Sequence, residues 1–213
     1  MKNNSIIILG IILLSFGLAF YFYPSMPERM ASHWGVSGAA NGYSNKFLGL
    51  FLMPLISLGM FLLFWAIPKI DPLKTNIEKF RKYFDGFMVL IIVFMFYVYL
   101  LTIFWNLGSR FNLGQFMAPA FGGLMYYCGV MIEKVKRNYF IGIRTPWTLS
   151  NDNVWDKTHK IGGKLFKVAG LLAMLGLIFP DQVFFLVIIP IIFAAVFSVI
   201  YSYVEYRKET KNG

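Results

Sequence analysis

The chain has 213 residues, of which 58% are hydrophobic, 19% aromatic and only 14% charged, where a soluble domain is about a quarter charged. That is more apolar surface than a core of this size encloses. It is gathered in long runs, so the composition excludes an ordinary soluble enzyme and points to a polytopic membrane protein. The net charge of +10 lies between those runs, where it matches anionic lipid headgroups. No basic helix with interleaved base-stacking aromatics stands apart from them to bind nucleic acid directly.

Six segments approach the roughly 20 residues a helix needs to cross a hydrocarbon core. In chain order they are Ile6–Tyr23, Phe47–Ile67, Gly86–Trp105, Leu113–Ile132, Ile161–Phe179 and Val183–Val204. The first follows Lys2 in the manner of a signal peptide. It ends in bulky aromatics rather than the small residues of a cleavage site, so it is expected to be retained. Pro54, Pro119 and Pro190 fall inside spans and are expected to kink them. The fifth span carries Lys164 and Lys167 in its first two turns, and both can snorkel toward headgroups. The expected fold is therefore all-α, one integral membrane domain over residues 1–213 with six transmembrane helices.

Orientation follows from Lys and Arg. Seventeen of the 20 lie in the N-terminus, the second and fourth connections, the start of the fifth span and the C-terminal tail. Cationic loops stay in the cytoplasm, so both termini are expected there. The segment 24–46 then faces outside and 133–164 faces inside.

The hydrocarbon centres of the six spans hold no Asp, Glu, Lys, Arg or His, which argues against an ion-coupled transporter. Asp85, Arg110, Glu133 and Glu205 sit at span ends, and Asn106 and Gln115 lie near interfaces where water can satisfy them. The only histidines, His33 and His159, are expected on opposite sides of the membrane. His33 has Glu28 nearby but no second histidine for a zinc site. Cys128 is the single cysteine, a small packing residue unable to form an intrachain disulfide. No serine–base motif or phosphate loop is present, so neither catalysis nor a cofactor is expected.

Two connections stand out. In the outer one, two prolines precede His33-Trp34-Gly35, and Gly38 and Asn41-Gly42 signal tight turns before Tyr43. Its aromatics either cap the bundle or offer a docking surface for an apolar external partner, with Trp34 and Tyr43 as anchors and His33 beside them as the candidate contacts. In the inner one, "GIRTPWTLSNDNVWDK" begins at Gly142. Arg144-Thr145-Pro146-Trp147 reads as an extended turn, because the residue before proline avoids the helical region. Ser150 or Asn151 then caps a helix with Asp152 in its first turn. Trp155 and His159 share one face, and Asp156 and Lys160 form an i,i+4 pair. One reading makes Trp147 and Trp155 interfacial anchors. The other gives Arg144, Trp147, Asp152, Trp155 and Lys157 a structural or partner-docking role, with the Arg144 fork on carbonyls or on Asp152.

These stretches carry a resemblance. "MPERMASHWGVSGAANGYSNKF" resembles a proline-led segment of a domain of unknown function common in small bacterial membrane proteins. "NYFIGIRTPWTLSNDNVWDKTHKIGGKLF" is similar, nearly residue for residue, to the hallmark of the SdpI family. The resemblance implies six helices in a bacterial plasma membrane and immunity against a secreted, SdpC-like antimicrobial peptide. It also implies a signalling role in which a cytosolic repressor is drawn to the membrane. It marks Gly142, Arg144, Thr145, Pro146, Trp147, Asp152, Trp155 and Lys157 as motif positions. The rival expectation, from another class, is a small transporter or pore that exports a peptide or lipid.

Overall fold

A computed structural model describes residues 2–36 and 38–212. The chain runs α1 (Lys2–Phe22), β1 (Arg29–Trp34), β2 (Ala40–Asn45), α2 (Lys46–Ile70), α3 (Lys74–Asn106), α4 (Leu113–Ile132), α5 (Pro146–Ser150), α6 (Asp152–Met174) and α7 (Val183–Asn212). Every expected span lies largely within one of the six long helices. Four of these, α1, α2, α3 and α7, are long and apolar enough to cross a membrane. The physical reason α4 and α6 differ is visible in their residues. Polar Gln115, Pro119 and paired glycines dilute α4, and a polar, lysine-bearing first half opens α6.

Side-chain caps set the helix starts. Asn45 accepts the Leu48 N–H at 2.9 Å to begin α2, and Asn112 accepts from Gln115 at 3.2 Å to begin α4. Pro54, Pro119 and Pro190 sit inside their helices. The non-helical backbone falls instead at Phe80 of α3 (φ −121°, ψ 15°).

The helices pack as two triplets. In the first, α1, α2 and α3 enclose a core of Ile8, Ile12, Phe61, Ile77, Phe84 and Ile92, with a second cluster around Met30, Leu50 and Tyr99 under the hairpin. In the second, α6 lies between α4 and α7. Its contact with α4 is made of glycine. A Cβ on Gly129 would stand 2.5 Å from the Gly163 carbonyl oxygen, and one on Gly170 would stand 2.5 Å from that of Gly122. These glycines recur seven apart on each helix, so one seam brings the backbones together at two levels.

The fold is mostly helical, as expected, and the connection between α1 and α2 is an antiparallel hairpin of β1 and β2. Its turn spans Gly35 to Ala39, with Gly38 at φ +76° and Ser37 outside the described residues. The turn is thus not at Asn41-Gly42, which lies within β2. Gly42 stands opposite His33 there, and a Cβ on it would meet the His33 Cβ at 2.7 Å. Asn106 at the end of α3 clamps the hairpin: its side chain accepts from the Ala31 N–H at 2.7 Å and donates to the Ala31 carbonyl at 3.0 Å. The interfacial asparagine is satisfied by a strand rather than by water. Gln115 likewise donates to the Leu177 carbonyl at 2.9 Å.

Candidate functional site

The hairpin closes one side of an apolar cavity of about 560 Å³. His33 and Trp34 line it with Met117 and Phe121 of α4 and Phe184 and Ile188 of α7. The Trp34 ring meets Trp105 edge-on, with centroids 5.6 Å apart. The His33 Nδ1 is paired with the Asn41 side-chain oxygen. Of the three candidate peptide contacts, the structure brings His33 and Trp34 to this cavity. Tyr43 lies elsewhere, exposed, with the Arg29 guanidinium 5.9 Å from its ring centre. A mostly apolar pocket with a few polar groups is the form ligand sites take.

At the opposite end, residues 133–164 form an ordered plug. Asn138 is fully buried; its side chain accepts the Phe140 and Ile141 N–H groups and donates to the Lys136 and Ile141 carbonyls. Gly142 follows at φ +112°, a backbone region that strongly favours glycine. Thr145 caps α5 in a reciprocal box with Thr148 and reaches Ser202 of α7 at 3.0 Å. Pro146 occupies the first turn of α5, where its missing N–H costs nothing. Asn151, rather than Ser150, caps α6 by accepting from Asn153 and Val154.

Trp155 is 1% exposed, so it is a core residue and not a headgroup anchor. Its indole N–H donates to the Val135 carbonyl at 2.9 Å, and its ring packs in the core of the first triplet. His159 stacks on it, with centroids 4.0 Å apart. The Ile143 N–H donates to His159 Nε2 at 2.9 Å, which puts the ring proton on Nδ1, directed at the Trp155 carbonyl at 2.8 Å. Both nitrogens are engaged, so this histidine has none free for a substrate. Trp147 is half-buried and leans on Tyr203 of α7, with centroids 5.0 Å apart.

The charged positions meet the expectation at Arg144, whose fork finds a carbonyl, and differ from it elsewhere. Arg144 is exposed and donates to the Tyr139 carbonyl, while Asp152 pairs with Arg137 at 2.8 Å. Asp156 pairs with Lys136 at 3.0 Å in place of Lys160. Lys157 bridges Glu205 at 3.2 Å and Glu209 at 2.9 Å on α7. Residues that sequence reasoning passed over tie the plug to the first triplet. Asp71, 2% exposed, accepts from the Tyr139 N–H at 2.9 Å, and Asn76 donates to the Arg137 carbonyl at 2.9 Å. Polar side chains with turn-forming chemistry at a helix junction were the available signal. Among the described residues no cluster of three or more His, Cys, Asp or Glu is placed to hold a metal ion.

Burial pushes the His159 imidazole down to about 4, against the opposing pull of its bond to the Trp155 carbonyl. In the unfolded chain the group titrates near 6.5. Between these values the unfolded state binds the extra proton, so stability falls with falling pH through this window and is fully present above it. Acidification from pH 6.5 toward 4 should therefore lower the melting temperature, and His159→Gln should flatten that part of the profile. An unchanged slope in the variant would assign the loss to other groups.

The comparisons agree with this division of the molecule. Residues 134–202, covering the plug, α6 and most of α7, match the model of the SdpI/YfhL protein family. Residues 10–58, covering the later part of α1, the hairpin and the first half of α2, match a domain of unknown function, DUF1648. The chain is 27% identical over 209 residues to a protein of Bacillus subtilis (strain 168) described as "Immunity protein SdpI", covering 98% of each chain. No solved structure gives a significant match. The likenesses converge: residues 134–202 resemble the SdpI/YfhL protein family, and the whole chain is similar, end to end, to an immunity protein.

Proposed function

We propose that this chain is an immunity protein of the bacterial plasma membrane that protects its cell from a secreted, SdpC-like antimicrobial peptide without catalysis. The observation that carries the reading is the likeness to an immunity protein over 98% of both chains. In this reading all six long helices cross the membrane with both termini in the cytoplasm, as the cationic asymmetry supports. The hairpin and its apolar cavity then face outward, where an amphipathic peptide arrives. His33 and Trp34 are the proposed contacts, with Tyr43 a peripheral one on the same hairpin. The plug faces the cytoplasm. A cytosolic repressor would meet its exposed residues, Arg144 and Lys157 with Asp152, whereas Gly142, Thr145 and Trp155 shape the plug from within.

Expression of the chain in sensitive cells should restore growth when the killing peptide is added, and equal death with and without the chain would sink the proposal. Proteoliposome flux of the peptide, if protein-dependent, would favour the rival transporter. Orientation is tested separately in a Cys128→Ser background. Val36→Cys should react with an impermeant thiol reagent on intact cells and Asn153→Cys should not; reversed labelling would remove the cytoplasmic docking idea.

A further inference from the structure

A second cavity, of about 350 Å³, opens between the end of α4 and the first half of α6. Both of its carboxylates are already engaged: Asp156 holds Lys136 at 3.0 Å, and Glu133 holds Lys167 at 2.8 Å. Lys134, Lys160 and Lys164 also line it, all exposed, and among the described residues they have no ion-pair partner. Three uncompensated ammonium groups around one concave site favour a compact anion carrying more than one oxygen, which a phosphate supplies.

The surface beyond the cavity says what the phosphate is attached to. Lys160 and Lys164 are one turn apart on α6, and the same exposed face continues through Val168 and Leu171, both 53% exposed, to Leu175 just past the helix end, which is 38% exposed. A cationic pocket thus stands at the foot of an open apolar track on one helix face. That order, charge then hydrocarbon, is the order of an anionic phospholipid. We infer that this cleft is a binding site for an anionic phospholipid, with the headgroup phosphate among Lys134, Lys160 and Lys164 and an acyl chain along Val168, Leu171 and Leu175. The inference rests on the proposed reading only for the leaflet, the cytoplasmic one; the site itself does not depend on the immunity function.

The test is thermal unfolding of the full chain in dodecylmaltoside with added dioleoyl-phosphatidylglycerol, dioleoyl-phosphatidylcholine or inorganic phosphate. Phosphatidylglycerol should raise the melting temperature by roughly 5 °C. Phosphatidylcholine and inorganic phosphate should not. The Lys134→Gln/Lys160→Gln/Lys164→Gln variant should lose the rise, and the Lys74→Gln/Lys82→Gln control, at exposed lysines elsewhere, should keep it. Should the triple variant fail to fold, Lys160→Gln/Lys164→Gln must lose at least half of the rise. Three results overturn the inference: no rise with phosphatidylglycerol, an equal rise with phosphatidylcholine, or an equal rise in the lysine variant. Reproduction by inorganic phosphate would make it a small-anion site and also overturn it. The measurement is made in micelles, so thiol labelling and peptide challenge fail or succeed independently of it.

Discussion

Gly163→Leu should cost about 3 kcal/mol or more and lower the melting temperature in detergent by roughly 6–12 °C. A Cβ at Gly163 would stand 2.7 Å from the Gly129 carbonyl oxygen and 3.1 Å from the Glu133 backbone nitrogen. Those atoms belong to a helix and cannot swing aside as a side chain tip does. To admit leucine, α4 and α6 must separate, and the matching approach at Gly122 and Gly170 opens with them. Gly59 provides the contrast, since a Cβ there meets nothing within 4 Å. Gly59→Ala should leave stability unchanged or raise it slightly, because alanine favours a helix interior over glycine. Equal melting of Gly163→Leu and the parent would mean that the seam is not a close backbone contact.

The second large effect is expected at Trp155. Trp155→Ala should cost about 4 kcal/mol, through a cavity in the core cluster it shares with Phe80 and Ile77 and the loss of the surface on which His159 stacks. Trp155→Phe separates two contributions. It keeps an aromatic ring in the core but leaves the Val135 carbonyl without its donor, a loss of about 1–3 kcal/mol. A graded series, with phenylalanine between tryptophan and alanine, is the expected result in thermal unfolding and in proteolysis of the segment 134–150. An anchoring role would give a different pattern, in which phenylalanine matches the parent and only membrane partitioning changes. The burial of Trp155 predicts the graded pattern.

The long helices were legible because their apolar runs are continuous, and so was the start of α6. Asparagine is a strong cap, and aspartate in the next position suits a helix N-terminus. The Trp155–His159 pair was legible from its spacing of four. Its depth was not: residues of the first triplet, distant in sequence, bury it, and no local pattern records that. The hairpin was misread for a related reason. Asn41-Gly42 carries turn chemistry, yet here the glycine serves close approach to His33 across the strands. Ion-pair partners were the least legible. Arg137 and Arg144 are both near Asp152 in sequence, and the path of the plug gives the aspartate to Arg137. The cavity at the hairpin was also out of reach, since it exists only where segments from three parts of the chain converge.

α7 runs unbroken from Val183 to Asn212, a rod about 45 Å long at 1.5 Å per residue. Its first turns wall the apolar cavity, and its last turns hold Thr145 through Ser202, Trp147 through Tyr203 and Lys157 through Glu205 and Glu209. Two surfaces that share one rod are not energetically separate. An occupant that prefers one seating of α7 biases the far end by the difference in its affinity for the two seatings. Reciprocity then requires that whatever grips the far end tighten or loosen the occupant by the same factor. The two ends of the molecule are therefore measurable against each other: affinity at one, recorded with and without a ligand at the other, gives the coupling free energy directly.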